Sequence, residues 1–200
     1  MSSVLRGKKS DMTSRRPTLV LVHGLPATGK TTLARWLATQ LGWPIIHKDA
    51  LKEILFDTIG WKDRVWSRQL GVAAIEVLWH VIEMQLNAGV SCVAECNFKP
   101  ELASPRLQSI LDRTTAMGIQ VLCTCAGDVR LQRFQSRSRH FGHADEEVTG
   151  VAAVTWQAET LAPLSINGPL IEVDTTDLAA FDYADVLCRV LQCCPEAFDG

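Results

Sequence analysis

The chain has 200 residues with 20 basic and 22 acidic side chains, a formal net charge of −2. That length supports one well-cored α/β domain and hardly two. Nothing in the charge balance points to nucleic acid or a membrane surface, and no apolar run is long enough to span a bilayer. Residues 1–16 (MSSVLRGKKSDMTSRR) are polar and basic and lack the apolar centre of a signal peptide. They are expected to form a disordered tail, with Met12 as an alternative start and 17–200 as the folded domain. Seven cysteines, an odd number with no C-x-x-C pair, fit reduced thiols in a cytoplasmic protein and give no zinc or thioredoxin-like signature.

The first predicted strand is the aliphatic run Thr18–His23 (TLVLVH). The stretch Gly24–Thr31 (GLPATGKT) follows and matches G-x-x-x-x-G-K-[ST] at every fixed position. Lys30–Leu41 then reads as a helix, with Leu33, Trp36, Leu37 and Leu41 at helical spacing and Gly42 as its stop. Strand, glycine loop and helix N-terminus in succession are the context a phosphate-binding loop needs. Gly24 and Gly29 let the backbone turn several N–H groups toward one anion. The helix start adds its dipole and unpaired N–H groups. Residues Gly24, Leu25, Pro26, Ala27, Thr28, Gly29, Lys30, Thr31 and Thr32 are therefore the expected nucleotide cradle. Lys30 is expected to reach the β- and γ-phosphates, and the Thr31 hydroxyl to sit on Mg²⁺.

Trp43–His47 reads as a second strand, and Lys48–Leu55 as a helix with Asp49 at its cap or first turn. A loop, Asp57–Arg64, precedes a long helix over Trp66–Asn87, in which Ile75, Leu78, Trp79, Ile82 and Leu86 share a face. Val90–Cys96 is a third strand, Ser104–Met117 a helix closed by Gly118, and Ile119–Cys125 a fourth strand. Asp128–Arg139 is a basic helix, His140–Gly150 a loop, and Glu147–Leu161 a helix. Leu170–Asp174 is a fifth strand and Leu178–Cys194 a final helix. Alternating strands and helices predict a five-stranded parallel sheet in a three-layer α/β fold, with ligands at the carboxyl ends of the strands.

Three further features carry chemistry. Asp49 follows the second strand, where a carboxylate can take the proton of an acceptor hydroxyl; a plain helix cap is the structural alternative. Glu95 ends the third strand, where it either supports the magnesium water shell or faces solvent. Arg130, Arg133 and Arg137 recur at helical spacing, with Arg139 beyond them, and Gly142 gives the following loop freedom. They read as an arginine-bearing lid over the transferring phosphoryl group, against a solvated helix face or an RNA-binding arm. His140 and His143 are expected in that lid, while His23, His47 and His80 are read as structural. Trp61, Lys62, Arg64 and Trp66 are candidates for the wall of an acceptor pocket or for core packing.

Together these stretches resemble the P-loop kinase group that includes chloramphenicol phosphotransferase, gluconate kinase, zeta-toxin-type kinases and polynucleotide kinases, an AAA-type kinase set. The similarity covers about Pro17–Asp177. GLPATGKT is similar to its phosphate loop, IIHKDALKEI to the segment bearing its catalytic aspartate, and RLQRFQSRSRHFGHAD to its arginine lid. The resemblance implies a nucleoside-kinase-like fold, ATP with Mg²⁺ on Thr31 and Glu95, and Asp49, Lys30, Arg133 and Arg137 as catalytic residues. Lys52 stands where polynucleotide kinases carry a basic residue. CVAECNF matches a strand that more often ends in Asp, so Glu95 departs from the pattern. EVDTTD is similar to the last strand and the loop beside the nucleotide base.

The leading expectation is an ATP-dependent kinase acting on the hydroxyl of a small molecule. A polynucleotide or tRNA 5′-hydroxyl kinase is the first alternative, disfavoured by the missing basic surplus. A nucleotide-binding regulatory ATPase is the second.

Overall fold

In the computed structural model, residues 16–138, 140–143 and 150–194 are described. The element order is β1 (Thr18–Gly24), α1 (Lys30–Leu41), β2 (Ile45–His47), α2 (Lys48–Ile59), α3 (Arg64–Asn87), β3 (Cys92–Cys96) and α4 (Pro100–Thr114). Then come β4 (Met117–Thr124), α5 (Gly127–Ser136), a short 3₁₀ turn at Phe141–His143, α6 (Gly150–Ala158), β5 (Leu170–Asp174) and α7 (Tyr183–Cys193). The five strands form one sheet in the order β2-β3-β1-β4-β5, and every neighbouring pair is parallel.

Every residue of β1 is buried, as expected for a central strand covered on both faces. On one face Leu19 and Leu21 meet Leu78, Ile82 and Leu86 of α3 and Leu107 and Ile110 of α4. On the other, Val20 and Val22 meet Leu33 and Leu37 of α1 and Val186 and Val190 of α7. The strand's period-two alternation thus feeds two separate cores, and the three-layer expectation is met. β1 pairs with β3 on one side and β4 on the other, so the carboxyl end of β1 opens on the crevice between their connections.

Several boundaries differ from the sequence reading for local reasons. α2 runs on to Ile59, and Gly60 closes it with φ 89°. α3 starts at Arg64, because Asp63 caps it by accepting the Trp66 N–H at 2.7 Å. α4 starts four residues early, at Pro100, whose fixed φ suits the first helical position. It stops at Thr115, with φ 52°, not at Gly118. Gly118 lies inside β4, where a Cβ would stand 2.7 Å from Leu111 Cδ1. α7 waits for Asp182, which accepts from Ala184 and Asp185 N–H groups. Arg139, the 147–149 start expected for α6, and the expected tail over 1–15 lie outside the described residues. Among the described residues, no helix is long and apolar enough to cross a membrane, and all seven cysteines are free thiols.

Candidate active site

The loop Gly24–Thr31 joins β1 to α1 and is held at both ends. At Gly24 a Cβ would stand 2.5 Å from the Cys123 carbonyl oxygen of β4, so a side chain is excluded by close approach. Gly29 has φ 79° and immediately precedes α1, whose N-terminus carries no side-chain cap. The first N–H groups of α1 and the positive end of its dipole are therefore left for an anion. Ala27 holds φ 66°, a left-handed value that costs a non-glycine residue about 1 kcal/mol. Thr28 Oγ1 donates to Leu25 O at 2.9 Å, and Thr28 O accepts from the buried Thr175 Oγ1 at 2.6 Å. The loop is thereby tied to the end of β5. A cavity of about 450 Å³ lies over it, lined by Gly29, Lys30, Thr31 and Thr32 on one side and by Arg133 and Arg137 on the other.

Lys30 Nζ donates to Leu25 O at 3.2 Å and lies 3.8 Å from Glu95 Oε1. Glu95 is only 2% exposed, so the solvent-facing alternative is excluded. Its other oxygen meets His47 Nε2 at 3.0 Å. His47 Nδ1 accepts the Ala50 N–H at 2.9 Å and so caps α2. With Nδ1 accepting, Nε2 is the ring nitrogen that carries a proton, and it lies close to Glu95 without the geometry of a hydrogen bond. One histidine thus anchors the start of α2 to the end of β3, and Asp49 follows two residues later in the first turn. The Asp49 carboxylate is 3.0 Å from Lys48 Nζ.

Asp49 also faces a second cavity, of about 710 Å³. Trp79 and Phe98 form part of its wall, with ring centroids 5.1 Å apart and planes at 22°. Lys48, Lys52 and Lys99 line it as well. Lys30, Asp49 and Arg137 are common to both cavities. None of Trp61, Lys62, Arg64 or Trp66 lines either one. Trp66 instead donates its ring N–H to Gly60 O at 2.9 Å and carries Lys62 Nζ 4.3 Å from its ring centroid.

The arginines do not share one face. Arg130 is 1% exposed and does not line the cavity over the loop. It stacks 3.8 Å from the Trp156 ring centroid, donates to the Trp156 carbonyl and pairs with Glu159 at 3.5 Å, which fastens α6 to α5. Arg133 donates to Thr175 O at 2.9 Å and Thr176 O at 2.8 Å, closing the nucleotide cavity on the β5 side. Arg137 stands just past the end of α5, in extended conformation. Its Cζ lies 4.4 Å from the Phe134 centroid, and Phe134 in turn leans on Trp156 at 5.1 Å.

Gly142 is not a hinge but a contact: a Cβ there would collide with the Phe56 ring. Around it His140 pairs with Asp57 at 3.0 Å and His143 with Glu53 at 2.9 Å, which seats the 3₁₀ turn on α2. Ser67 Oγ donates to Gly142 O at 3.0 Å and accepts from Lys52 Nζ at 2.9 Å. The sequence reading gave Phe134 and the Trp79–Phe98 wall no place in the site, and reached Thr175 only through the EVDTTD stretch. Only the threonine pair after an acidic strand end gave any signal.

Two buried groups beside the loop have displaced acidities. His23, the last residue before Gly24, is fully buried, and neither ring nitrogen finds a partner of good geometry. The adjacent Gln120 amide is committed to the Leu164 N–H and carbonyl. Burial, only partly offset by Gln120 and reinforced by the Lys30 charge, pulls the His23 pKa from 6.5 to about 4. Cys96, at the end of β3, is pushed up to about 12, chiefly by burial, and is no nucleophile at neutral pH.

For magnesium, the available donors are hard oxygens: the Thr31 hydroxyl in the nucleotide cavity and the nearby carboxylates. Among the described residues no cluster of three or more His, Cys, Asp or Glu is assembled for a metal. Hydroxyl and carboxylate oxygens are the donor chemistry that a magnesium ion takes.

The family model for the AAA domain matches residues 19–163. A solved structure of a candidate kinase from Chloroflexus aurantiacus is 38% identical, with a TM-score of 0.85, covering 90% of this chain and 99% of that one. Kti12 of Chaetomium thermophilum, solved with ADP-AlF3, is 17% identical with a TM-score of 0.58, covering 89% and 99%. A gluconokinase from Sinorhizobium meliloti is 16% identical with a TM-score of 0.50, covering 90% and 93%. The last two show the fold alone. No curated protein matches the chain significantly. With its phosphate loop, its parallel sheet and a family match over most of its length, the chain belongs to the AAA domain family of P-loop proteins.

Proposed function

We propose that this protein is an ATP-dependent kinase that transfers the γ-phosphoryl group to a hydroxyl of a small-molecule acceptor. One observation carries the reading. The phosphate-loop cavity and the larger cavity beside it meet at Lys30, Asp49 and Arg137, a cation, a carboxylate and a guanidinium where two substrates would face each other. A nucleotide switch needs the first cavity but has no use for the second.

The loop amides and Lys30 hold the phosphates, and Thr31 is the magnesium ligand. Glu95 sits behind them, its charge fixing Lys30 and His47 beside the start of α2. Bound ATP with Mg²⁺ supplies the phosphoryl group and releases ADP. Asp49 takes the proton of the acceptor hydroxyl as its oxygen bonds to the γ-phosphorus and the bond to the β–γ bridging oxygen breaks. Arg137, with Arg133 beside it, offsets the negative charge of the transferring group. The test is Asp49→Asn, which keeps shape and the helix start. ATP affinity should survive while transfer falls at least about a hundredfold. Unchanged turnover would remove Asp49 from the mechanism.

A further inference from the structure

The larger cavity changes character along its length. Lys30, Asp49 and Arg137 stand where it meets the phosphate-loop cavity. Its other part lies between α3 and α4. There α3 contributes Val72, Ile75 and Trp79, and α4 contributes Leu102 and Ala103. Spacings of three and four residues put the α3 side chains on one face of that helix.

Two of these side chains are far from buried. Val72 is 62% exposed and Leu102 is 75% exposed. Single exposed aliphatic residues are ordinary on a protein surface. These two stand on neighbouring helices and line the same cavity. Beside them Trp79, Phe98 and Ala103 are buried members of one core cluster, and Ile75 packs against it. The core therefore continues into the cavity wall and ends in two exposed aliphatic side chains. The charged side chains that the two helices add, Glu76 and Arg106, pair with each other at 3.7 Å, and both are exposed.

Position indicates what covers this hydrocarbon. The nucleotide fills the phosphate-loop side of Asp49, so an acceptor with its hydroxyl at Asp49 has the α3–α4 part for the rest of its body. A sugar or polyol there would set hydroxyls against Val72 and Leu102 and lose hydrogen bonds to water without replacement. An apolar ring would instead release water from both side chains. The cavity's 710 Å³ suits a metabolite-sized ligand.

Resting on the kinase reading above, the geometry points to an acceptor alcohol with an apolar ring body, aryl or alicyclic. Its hydroxyl faces Asp49, and its ring lies between α3 and α4 against Val72, Ile75 and Leu102. These side chains then select ring-bearing alcohols over sugars and polyols.

The experiment uses the full chain with Mg²⁺ and two readouts. Ligand-observed NMR with a non-hydrolysable ATP analogue gives acceptor affinity, and ADP release with product mass gives transfer from ATP. The ring-bearing probes are 3-phenylpropan-1-ol, 3-cyclohexylpropan-1-ol and 3-phenylpropane-1,2-diol. Their ring-free partners are propan-1-ol and propane-1,2-diol, with glycerol and glucose as polyols. Each ring-bearing probe should exceed its ring-free partner at least about tenfold in affinity and in kcat/KM, the lower bound for one methylene in an apolar pocket. Leu102→Asn should cut that preference at least about fivefold, mainly through KM, which is less than full burial of a leucine side chain provides. Leu102→Met should keep the preference, since it restores an apolar side chain of similar size. Leu102 is exposed, so both variants should fold. Equal affinity for ring-bearing and ring-free probes, tighter binding of the polyols, or an unchanged preference in Leu102→Asn would overturn the inference and leave the kinase reading standing. Turnover only of a 5′-hydroxyl oligonucleotide would do the same. Ring-bearing alcohols that bind with the predicted preference yet are never phosphorylated would overturn the kinase reading, and the acceptor role with it.

Discussion

Phe134 touches no substrate in this account, yet its loss should slow phosphoryl transfer. Arg137 lies beyond the last residue of α5, so helical geometry does not aim it. Among its contacts is the Phe134 face, 4.4 Å from the guanidinium carbon, with Phe134 itself braced on Trp156. A cation–π contact of this kind is worth about 0.5–2 kcal/mol, depending on how dry it is. If that orienting energy acts on the transition state, its removal costs about 2- to 30-fold in rate, at 1.4 kcal/mol per tenfold. Phe134→Leu removes the ring while keeping an apolar helix former. It also forfeits the Phe134–Trp156 pair, about 1 kcal/mol of stability, which a melting curve reads separately. Single-turnover hydrolysis of ATP, with water as acceptor, is the assay, and calorimetry gives nucleotide affinity alongside. The rate should fall within that range, affinity should stay within about twofold because the loop supplies most of it, and Phe134→Tyr should restore the rate. A leucine variant hydrolysing ATP at the parental rate would refute the reasoning. So would a rate loss fully matched by weaker ATP binding.

Two further outcomes follow from the surroundings of the loop. His23 has a folded-state pKa of about 4 against 6.5, so the unfolded chain binds more protons between those values and stability falls as pH drops from 6.5 toward 4. The gap corresponds to about 3 kcal/mol. Urea unfolding at pH about 7 and about 4 should show His23→Asn losing less than the parent by roughly that amount, and identical losses would contradict it. Gly24→Ala would put a Cβ 2.5 Å from Cys123 O, and the forced shift between β1 and β4 should cost about 1–3 kcal/mol in stability and weaken ATP binding. Wild-type melting and affinity would contradict it.

The phosphate loop and the sheet were legible in the sequence because they depend on backbone rules. Gly24 and Gly29 are demanded by close approach and positive φ, and β1 alternates between two cores. The arginines were not legible. Helical spacing placed Arg130, Arg133 and Arg137 on one face, but α5 ends at Ser136, and Arg130 turns under Trp156 of α6, a partner from far along the chain. Gly142 looked like a hinge because local sequence shows flexibility but not the Phe56 ring against it. The Trp79–Phe98 wall was hidden for the same reason. Trp79 reads as one more core residue of α3, and only its stacking on Phe98 after β3 brings it to the cavity beside Asp49. Glu95 looked equally suited to solvent or metal in the sequence, which shows neither its burial nor the approach of His47, itself a helix cap, to 3.0 Å.

A crystal structure of the protein with Mg²⁺ and a non-hydrolysable ATP analogue would test the central claim most directly. The terminal phosphorus should lie where the two cavities meet, between Lys30 and Arg137, with the Asp49 carboxylate facing it from the acceptor side. A triphosphate bound elsewhere, or one whose terminal group points away from Asp49, would contradict the account.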